Sequence, residues 1–412
     1  MVGGAVAAAV IVEQRIIHEP NNSTTAAFQA HSRDARIGSG RGDGRFIAGK
    51  RMAYVLIGTE ASQFSAKARA CLRWKGLPFE ERDATPEVYR DIIEPRIGYA
   101  VIPVLLTPEG GVVQDSGEII DLVDERTPSP SARPGTPVQE LVSRLLELYA
   151  DEWLVIAGMH YRWTYNNDWI VSEFGRVSAP GATREEQARI GEVIAAPVRE
   201  AAARYGVSED TQSGIEAHYE GFLADFSEHL RRHDFVLGGR PTLGDFALYG
   251  VLQAVLFRDP ESGAHMERLA PTVVNWIERM DAARAGAGEL VPSDAVPDTL
   301  LPILKRQVAE QFPALADSAR ALEAWSVAQP KGARVKRSLG VHEFMIGGRW
   351  GQRGLFTFPL WRLQGIQDHY RGMAAADRAR ATSLLEAIGG RSLVDMPIPV
   401  RLARRDFRLV VA

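Results

Sequence analysis

From residue 53 onward, short apolar runs alternate with amphipathic ones. AYVLIGTE (53–60) is apolar and β-prone and predicts a strand. SAKARACLRWKG (65–76) places Ala68, Cys71 and Leu72 at helical spacing, with Lys67, Arg69 and Lys75 adding polarity and Gly76 a stop, and predicts a helix. LPFEERDA (77–84) predicts a second strand, and 86–98 a helical or irregular crossing. A strand at 102–106, the turn PEGG (108–111) and VVQ (112–114) predict a hairpin. SGEIIDLVDE (116–125) predicts a helix with Ile119, Ile120, Leu122 and Val123 on its apolar side. Strand–helix–strand followed by a hairpin and a closing helix is a thioredoxin-like layout. PSPSARPGTP (128–137) cannot be helix and reads as a linker.

Helical patterns dominate from about 139 to 285. GIEAHYEGFLADFSEHLRR (214–232) has apolar residues at helical spacing. TLGDFALYGVLQAVLF (242–257) is apolar nearly all round, which predicts a central buried helix. Past 285 the character changes. VKRSLGVHEFMIGGRWGQRGLFTF (335–358) alternates around Gly-Gly and predicts a hairpin, 360–373 and 374–390 are helix candidates, and 399–411 alternates like a single strand expected to pair with that hairpin. The organisation expected is thus a poorly structured segment at 1–52, a thioredoxin-like domain at 53–127, an all-helical domain at 138–288 and an extra α+β module at 289–412.

Composition adds three things. With 45% hydrophobic and 24% charged residues the chain reads as a soluble globular protein, and no apolar run is long enough for a membrane helix. The single cysteine, Cys71, excludes an internal disulfide and a Cys-x-x-Cys pair, which points to a reducing cytoplasm. The apolar run at 5–12 lacks a basic flank and a cleavage site, so no signal peptide is expected, and Met52 is a candidate start of the functional fold. Residues 331–412 carry fifteen Lys/Arg against six Asp/Glu, a net of +9, which leaves −13 on the rest of a chain whose total is −4. A basic tail docked on its own acidic body is the favoured reading; nucleic acid is not expected as a partner. The nine histidines include no HExxH motif, so no metal is expected.

Two features of 101–116 carry chemistry. Pro103 interrupts an apolar strand, although proline lacks the N–H a ladder needs. A cis Ile102–Pro103 bond would turn the Ile102 N–H and C=O toward an extended ligand. Asp115-Ser116 lies where a strand meets a helix N-terminus, a natural carboxylate site. Ser116 can donate to a carboxylate and Asp115 can accept from an ammonium, which together suit the amino-acid end of a small peptide.

SQFSAKAR (62–69), VIPVL (101–105), QDS (114–116) and LGGRPTLGDFAL (237–248) resemble, in order and spacing, the cytosolic glutathione transferase family. The last of these holds a capping box, Thr242-Leu-Gly-Asp245, whose Asp reaches back to the cap N–H. The resemblance covers about 53–285. It departs from the family pattern at Gln63, where many relatives have Pro, and at Asp115, where Glu is commoner.

The resemblance implies that Ser62 is the catalytic residue and that Ser62, Ile102, Pro103, Asp115 and Ser116 bind glutathione as cosubstrate. A hydroxyl donor and a helix N-terminus would stabilise the thiolate. Ser65 reads as the helix N-cap and Cys71 as inert packing. A serine at the catalytic position forms no mixed disulfide. Trp153, His160 and Tyr161 are the candidates for an apolar electrophile pocket. The function implied is a homodimeric, cytoplasmic, detoxifying transferase that activates the glutathione thiol against a small hydrophobic electrophile. The alternatives are a non-catalytic binding or scaffold protein and a glutathione-dependent isomerase or dehalogenase.

Overall fold

The computed structural model describes residues 53–412, and the expectation for 1–52 lies outside them. In chain order the elements are β1 (Tyr54–Gly58), α1 (Gln63–Trp74), β2 (Phe79–Asp83), α2 (86–97, with a π-helical turn at Tyr89–Ile93), β3 (Val104–Leu106), β4 (Val112–Gln114) and α3 (Ser116–Arg126). There follow α4 (Pro137–Tyr149), a π-helical turn at Ala150–Leu154, α5 (Val155–Tyr165), α6 (Asn167–Ser178), α7 (Arg184–Tyr205), α8 (Glu209–Leu230) and α9 (Leu243–Val251), extended by a π-helical stretch Leu252–Phe257. Then come α10 (Pro260–Leu269), α11 (Pro271–Ala282), α12 (Leu301–Ser326), β5 (Ser338–Ile346), β6 (Arg349–Phe356), α13 (Phe358–Gly372), α14 (Ala375–Ala387), α15 (Arg391–Asp395), β7 (Leu402–Arg405) and β8 (Arg408–Val411).

The first unit is a thioredoxin-like mixed sheet of order β2-β1-β3-β4, with β1 and β2 parallel and the other pairs antiparallel. Strand alternation separates its faces. Leu56 and Leu105 point to the core shared with α1 and α3, whereas Ile57 and Val104 pack with Tyr89, Ile93 and Ile97 of α2. Pro103 stands just before β3, so its missing N–H costs no ladder bond. The Ile102–Pro103 bond is cis.

The first helix starts two residues earlier than its periodicity suggests. Ser62 is in the extended region and its Oγ accepts from Ser65 N at 3.2 Å, so Ser62, not Ser65, is the N-cap. Ser65 is buried in the first turn against Gly58, where a Cβ would meet its Oγ at 2.5 Å. The polarity of this helix is not solvated either. Lys67, Arg69 and Lys75 are all buried and paired, Lys67 with Glu147 (2.7 Å) and Asp151 (2.6 Å), Arg69 with Glu81, and Lys75 with Asp124 (2.6 Å). Lys67 ties α1 to the helical unit, whereas Arg69 and Lys75 pair inside the sheet domain, with β2 and α3. Cys71 is buried among them, and burial raises its thiol far above the ordinary value.

The second unit is helical. Its centre is α9, buried along its whole length. Asp245 accepts from Thr242 N (2.9 Å) and Thr242 Oγ1 (3.0 Å) with one oxygen and from Val236 N (2.8 Å) with the other. The carboxylate thereby satisfies both the helix start and the loop before it. Among the described residues no helix is long and apolar enough to cross a membrane.

Extra strands and helices follow. The apolar core runs without a break from α1 through α9 into Ile303, Leu360, Leu363 and Leu402. Gln307 and Gln311 of α12 donate to the carbonyls of Leu145 (2.7 Å) and Leu148 (3.0 Å) of α4. β5 and β6 form the expected hairpin around Gly347-Gly348. The segment 399–411 is not one strand paired with it: Asp406 and Phe407, both with positive φ, turn it back on itself as the β7–β8 hairpin. Its outside partner is the segment ahead of β5, through Val335 N to Leu409 O at 2.9 Å.

Candidate active site

One cavity of about 520 Å³ lies where all three segments meet. It brings together Ser62, Ile102, Pro103, Asp115 and Ser116, which are far apart in sequence. Ser62 ends the β1–α1 loop. Its Oγ is held as an acceptor by the Ser65 N–H, so its own O–H remains available to donate. Ile102 precedes β3; neither its N–H nor its C=O is hydrogen-bonded among the described residues. This leaves a backbone edge on which an extended peptide can pair.

Asp115 and Ser116 sit at the start of α3. Asp115 adopts φ 91° and accepts from Gly117 N at 2.9 Å. Ser116 is buried, and its Oγ has no hydrogen-bond partner among the described residues. A buried hydroxyl without a partner is costly unless a ligand satisfies it. Together with the free N–H groups of the first turn, it forms a carboxylate-binding corner.

Asp115 is not simply an open acceptor for an ammonium, as the sequence suggests. It is ion-paired with Arg362 of α13, whose guanidinium lies so close over Gly117 that a Cβ there would meet it at 2.4 Å. Burial alone would push the Asp115 carboxyl up; Arg362, Arg404 and Lys67 hold it below the ordinary Asp value. Any ligand ammonium has to share this carboxylate with Arg362. The same guanidinium strengthens the corner's pull on a carboxylate.

Behind the cavity wall, Lys67 is shared by Glu147 and Asp151. Its ammonium is held above the ordinary Lys value, because the two carboxylates outweigh the burial that would lower it. Of the two, Glu147 is held well below the usual carboxylate range by Lys67 despite its burial. Asp151 is pushed up to about 6 by burial, with Glu147 adding to the rise. Glu152, the next residue and part of the cavity lining, is pushed up to about 7 by burial and by Asp151. Both lie in the wide turn between α4 and α5, the kind of irregularity that recurs at functional sites.

Trp153, His160 and Tyr161 do not line the cavity. The Trp153 ring packs edge-on to Phe344 at 6.0 Å, and its Nε1 donates to Glu310. His160 faces Glu216 at 3.0 Å, and Tyr161 lies against Tyr219 at 5.2 Å. The reason is helical phase. Val155, Gly158, Met159 and Arg162 recur every three or four residues on the cavity face of α5, which turns residues 160 and 161 away from it. Aromatic size drew attention to the wrong rows. The apolar wall is made by Phe64, Val155, Met159, Phe174, Val198 and Val255. Arg162 is locked by Asp259 (2.7 and 2.9 Å) and by the carbonyls of Ala61 (2.8 Å) and Ala254 (3.0 Å).

The remaining wall comes from the third segment, where no local motif announces it. Arg404 donates to Gln114 and pairs with Glu118 at 3.3 Å. Tyr99 OH donates to Phe407 O at 2.8 Å, and Arg408 reaches Gly98 O at 3.0 Å. These contacts clamp the β7–β8 hairpin to the sheet domain. Arg362, Arg404 and Arg408 lie roughly 250–310 residues beyond their partners, a separation no spacing rule detects.

Residues 56–131 match the family model of the glutathione S-transferase N-terminal domain, and residues 195–285 that of the glutathione S-transferase C-terminal domain. With both domains present in order, the chain belongs to the glutathione S-transferase family. Solved structures similar to it include the β-etherase LigF from Sphingobium sp. strain SYK-6 (20% identity, 56% of this chain and 96% of that one, TM-score 0.43). Rice GST1 in complex with glutathione is similar at 20% identity over 56% and 87% of the two chains, TM-score 0.38. A glutathione S-transferase from Methylobacterium radiotolerans, complexed with glutathione sulfonate, is similar at 22% identity over 59% and 99%, TM-score 0.34. No curated protein sequence matches the chain.

Proposed function

We propose that the protein is a glutathione-dependent transferase. The observation that carries this reading is the buried, unpartnered Ser116 hydroxyl at a helix N-terminus, in one cavity with Ser62 and the Ile102 backbone. Ser116 and the first N–H groups of α3 hold the γ-glutamyl carboxylate, and Asp115 shares its charge between Arg362 and the ammonium. Ile102 pairs with the peptide backbone. Ser62, fixed by its cap bond, donates its hydroxyl proton toward the sulfur and favours the thiolate. When bound, glutathione supplies the sulfur nucleophile that forms the new bond as a leaving group departs with its electron pair. The apolar wall on α5–α7 keeps the reacting carbon out of water.

The test is glutathione titration calorimetry followed by turnover of a panel of electrophiles. Ser62→Ala is expected to slow conjugation by about 10²-fold, the scale of one lost oriented donor. It should also cost about 1 kcal/mol of stability through the lost cap. Unchanged turnover would remove Ser62 from catalysis. Binding without turnover would instead favour a non-catalytic binding or scaffold role. Assembly as a homodimer belongs to the same proposal, checked by sedimentation.

A further inference from the structure

The amino-acid end of a peptide carries a carboxylate and an ammonium on one carbon. A corner built for the first therefore needs an anion beside it for the second. Asp115 and Asp151 both line the cavity, but each is held from behind. One oxygen of Asp115 accepts from Gly117 N and from Arg362, and one of Asp151 from Lys67 at 2.6 Å. Neither Arg362 nor Lys67 lines the cavity. An ammonium beside Asp115 meets the charge of Arg362 as well.

Glu152 differs from both. It lines the cavity, and among the described residues its carboxyl group has no hydrogen-bond or ion-pair partner. Neither oxygen is one of the sealed, unpartnered polar atoms, so both touch open space. Packing sets its place relative to the corner. Glu152 and Pro359 line one small pocket of about 10 Å³, which keeps them close together. Pro359 opens α13, and Arg362, three residues on, reaches Asp115. Thr357 and Phe358, just ahead of it, line the cavity. The start of α13 thus stands between two carboxyl groups, Asp115 on one side and Glu152 on the other. The charged groups that face Glu152 are Asp151 on its own turn, Arg337 ahead of β5, Arg353 of β6 and Arg362 of α13. Burial and Asp151 outweigh the three arginines, and its carboxyl is pushed up to about 7.

We propose that Glu152 accepts a hydrogen bond from the ligand's α-ammonium, so that the site selects γ-glutamyl peptides with a free amino group over those without one. The proposal rests on the glutathione reading above and adds to Asp115 a second carboxylate, supplied by the helical unit. An ammonium bound there favours the ionised carboxyl, so docking drives a proton from Glu152 into solvent. The release is about half a proton at pH 7 and fades at higher pH, where Glu152 is already ionised. Affinity for the amino ligand accordingly rises as pH passes through 7.

The test is titration calorimetry on the full chain with S-methylglutathione and its des-amino analogue, in which a glutaryl group replaces the γ-glutamyl one. The blocked thiol keeps the sulfur's proton out of the measurement. The amino compound is expected to bind roughly ten- to a hundredfold more tightly, the worth of a charge-assisted hydrogen bond. At pH 7, buffers of different ionisation enthalpy should show its proton release, with none for the analogue. In Glu152→Gln the preference should fall about tenfold and the proton release should disappear; Glu152→Asp should keep part of both. Equal affinities in the unaltered protein overturn the proposal. So does a Glu152→Gln variant with preference and proton release intact, or one that loses affinity equally for both compounds. If the unaltered protein binds neither compound, the glutathione reading itself fails, and this inference with it.

Discussion

Residues 53–285 and residues 289–412 build their shares of the cavity by different means. The first region positions Ser62 and Asp115, the groups a motif announces, through bonds a few residues long: Ser62 to Ser65 and Asp115 to Gly117. The second acts at long range, through charges that meet partners fixed early in the chain: Arg362 on Asp115, Arg404 on Glu118. A site can therefore have a recognisable scaffold while its electrostatics are supplied by a segment that carries no motif.

The strongest way to break this comparison is to delete 331–412. If the third segment were an appendage, the remainder would stay folded. Because the common core includes Leu360, Leu363, Ile366 and Leu402, the truncated chain is expected to aggregate and to lose its cooperative melt. A soluble, cooperatively melting fragment with unchanged activity would show the opposite. Next in size, Arg362→Met leaves the Asp115 charge buried and alone, and should cost about 3–5 kcal/mol in urea unfolding. Adding Asp115→Asn should recover most of it; strictly additive losses would mean that the two side chains do not act as a pair.

Smaller effects sharpen the picture on the local side. Ser116→Ala should weaken glutathione binding by about 1–3 kcal/mol. Since the Oγ has no internal partner, stability should change by no more than about 0.5 kcal/mol. Unaltered affinity would place the carboxylate elsewhere. The smallest effect is a pH dependence. Glu152 is pushed up to about 7, above its unfolded value of about 4.3. Its protonated form is favoured by the fold, so this contribution is fully present below about pH 4.3 and is lost as pH rises through 7. The urea midpoint of Glu152→Gln should fall less steeply over that window than that of the unaltered protein. Identical slopes would mean that Glu152 titrates as if exposed.

Much of the first two units was legible in sequence because caps, turns and strand periodicity are local. The cis Ile102–Pro103 bond and the Thr242–Asp245 box both stand where short-range rules put them. What escaped depends on tertiary context. Lys67, Arg69 and Lys75 read in sequence only as polarity on α1, yet all three are buried against carboxylate partners on other elements. Trp153, His160 and Tyr161 fall outside the cavity because helical phase decides which rows of this stretch face it, and that phase shows only once the packing partners are in place. The β7–β8 turn was missed because Asp406 and Phe407 take positive φ without glycine.

The ion pair between Asp115 and Arg362 also sets an order of events during synthesis. The two residues are 247 positions apart, and at about 5–20 residues per second Arg362 leaves the ribosome's catalytic centre roughly 10 to 50 s after Asp115. Throughout that interval the nascent thioredoxin-like unit has all its strands but not the cation that neutralises its buried carboxylate. It has to wait, with the site open and its charge unmatched, until the last eighth of the polypeptide arrives. The ligand cavity thus cannot be completed before α13 is made, and a ribosome that stalls earlier releases a chain lacking both that cation and part of the common core.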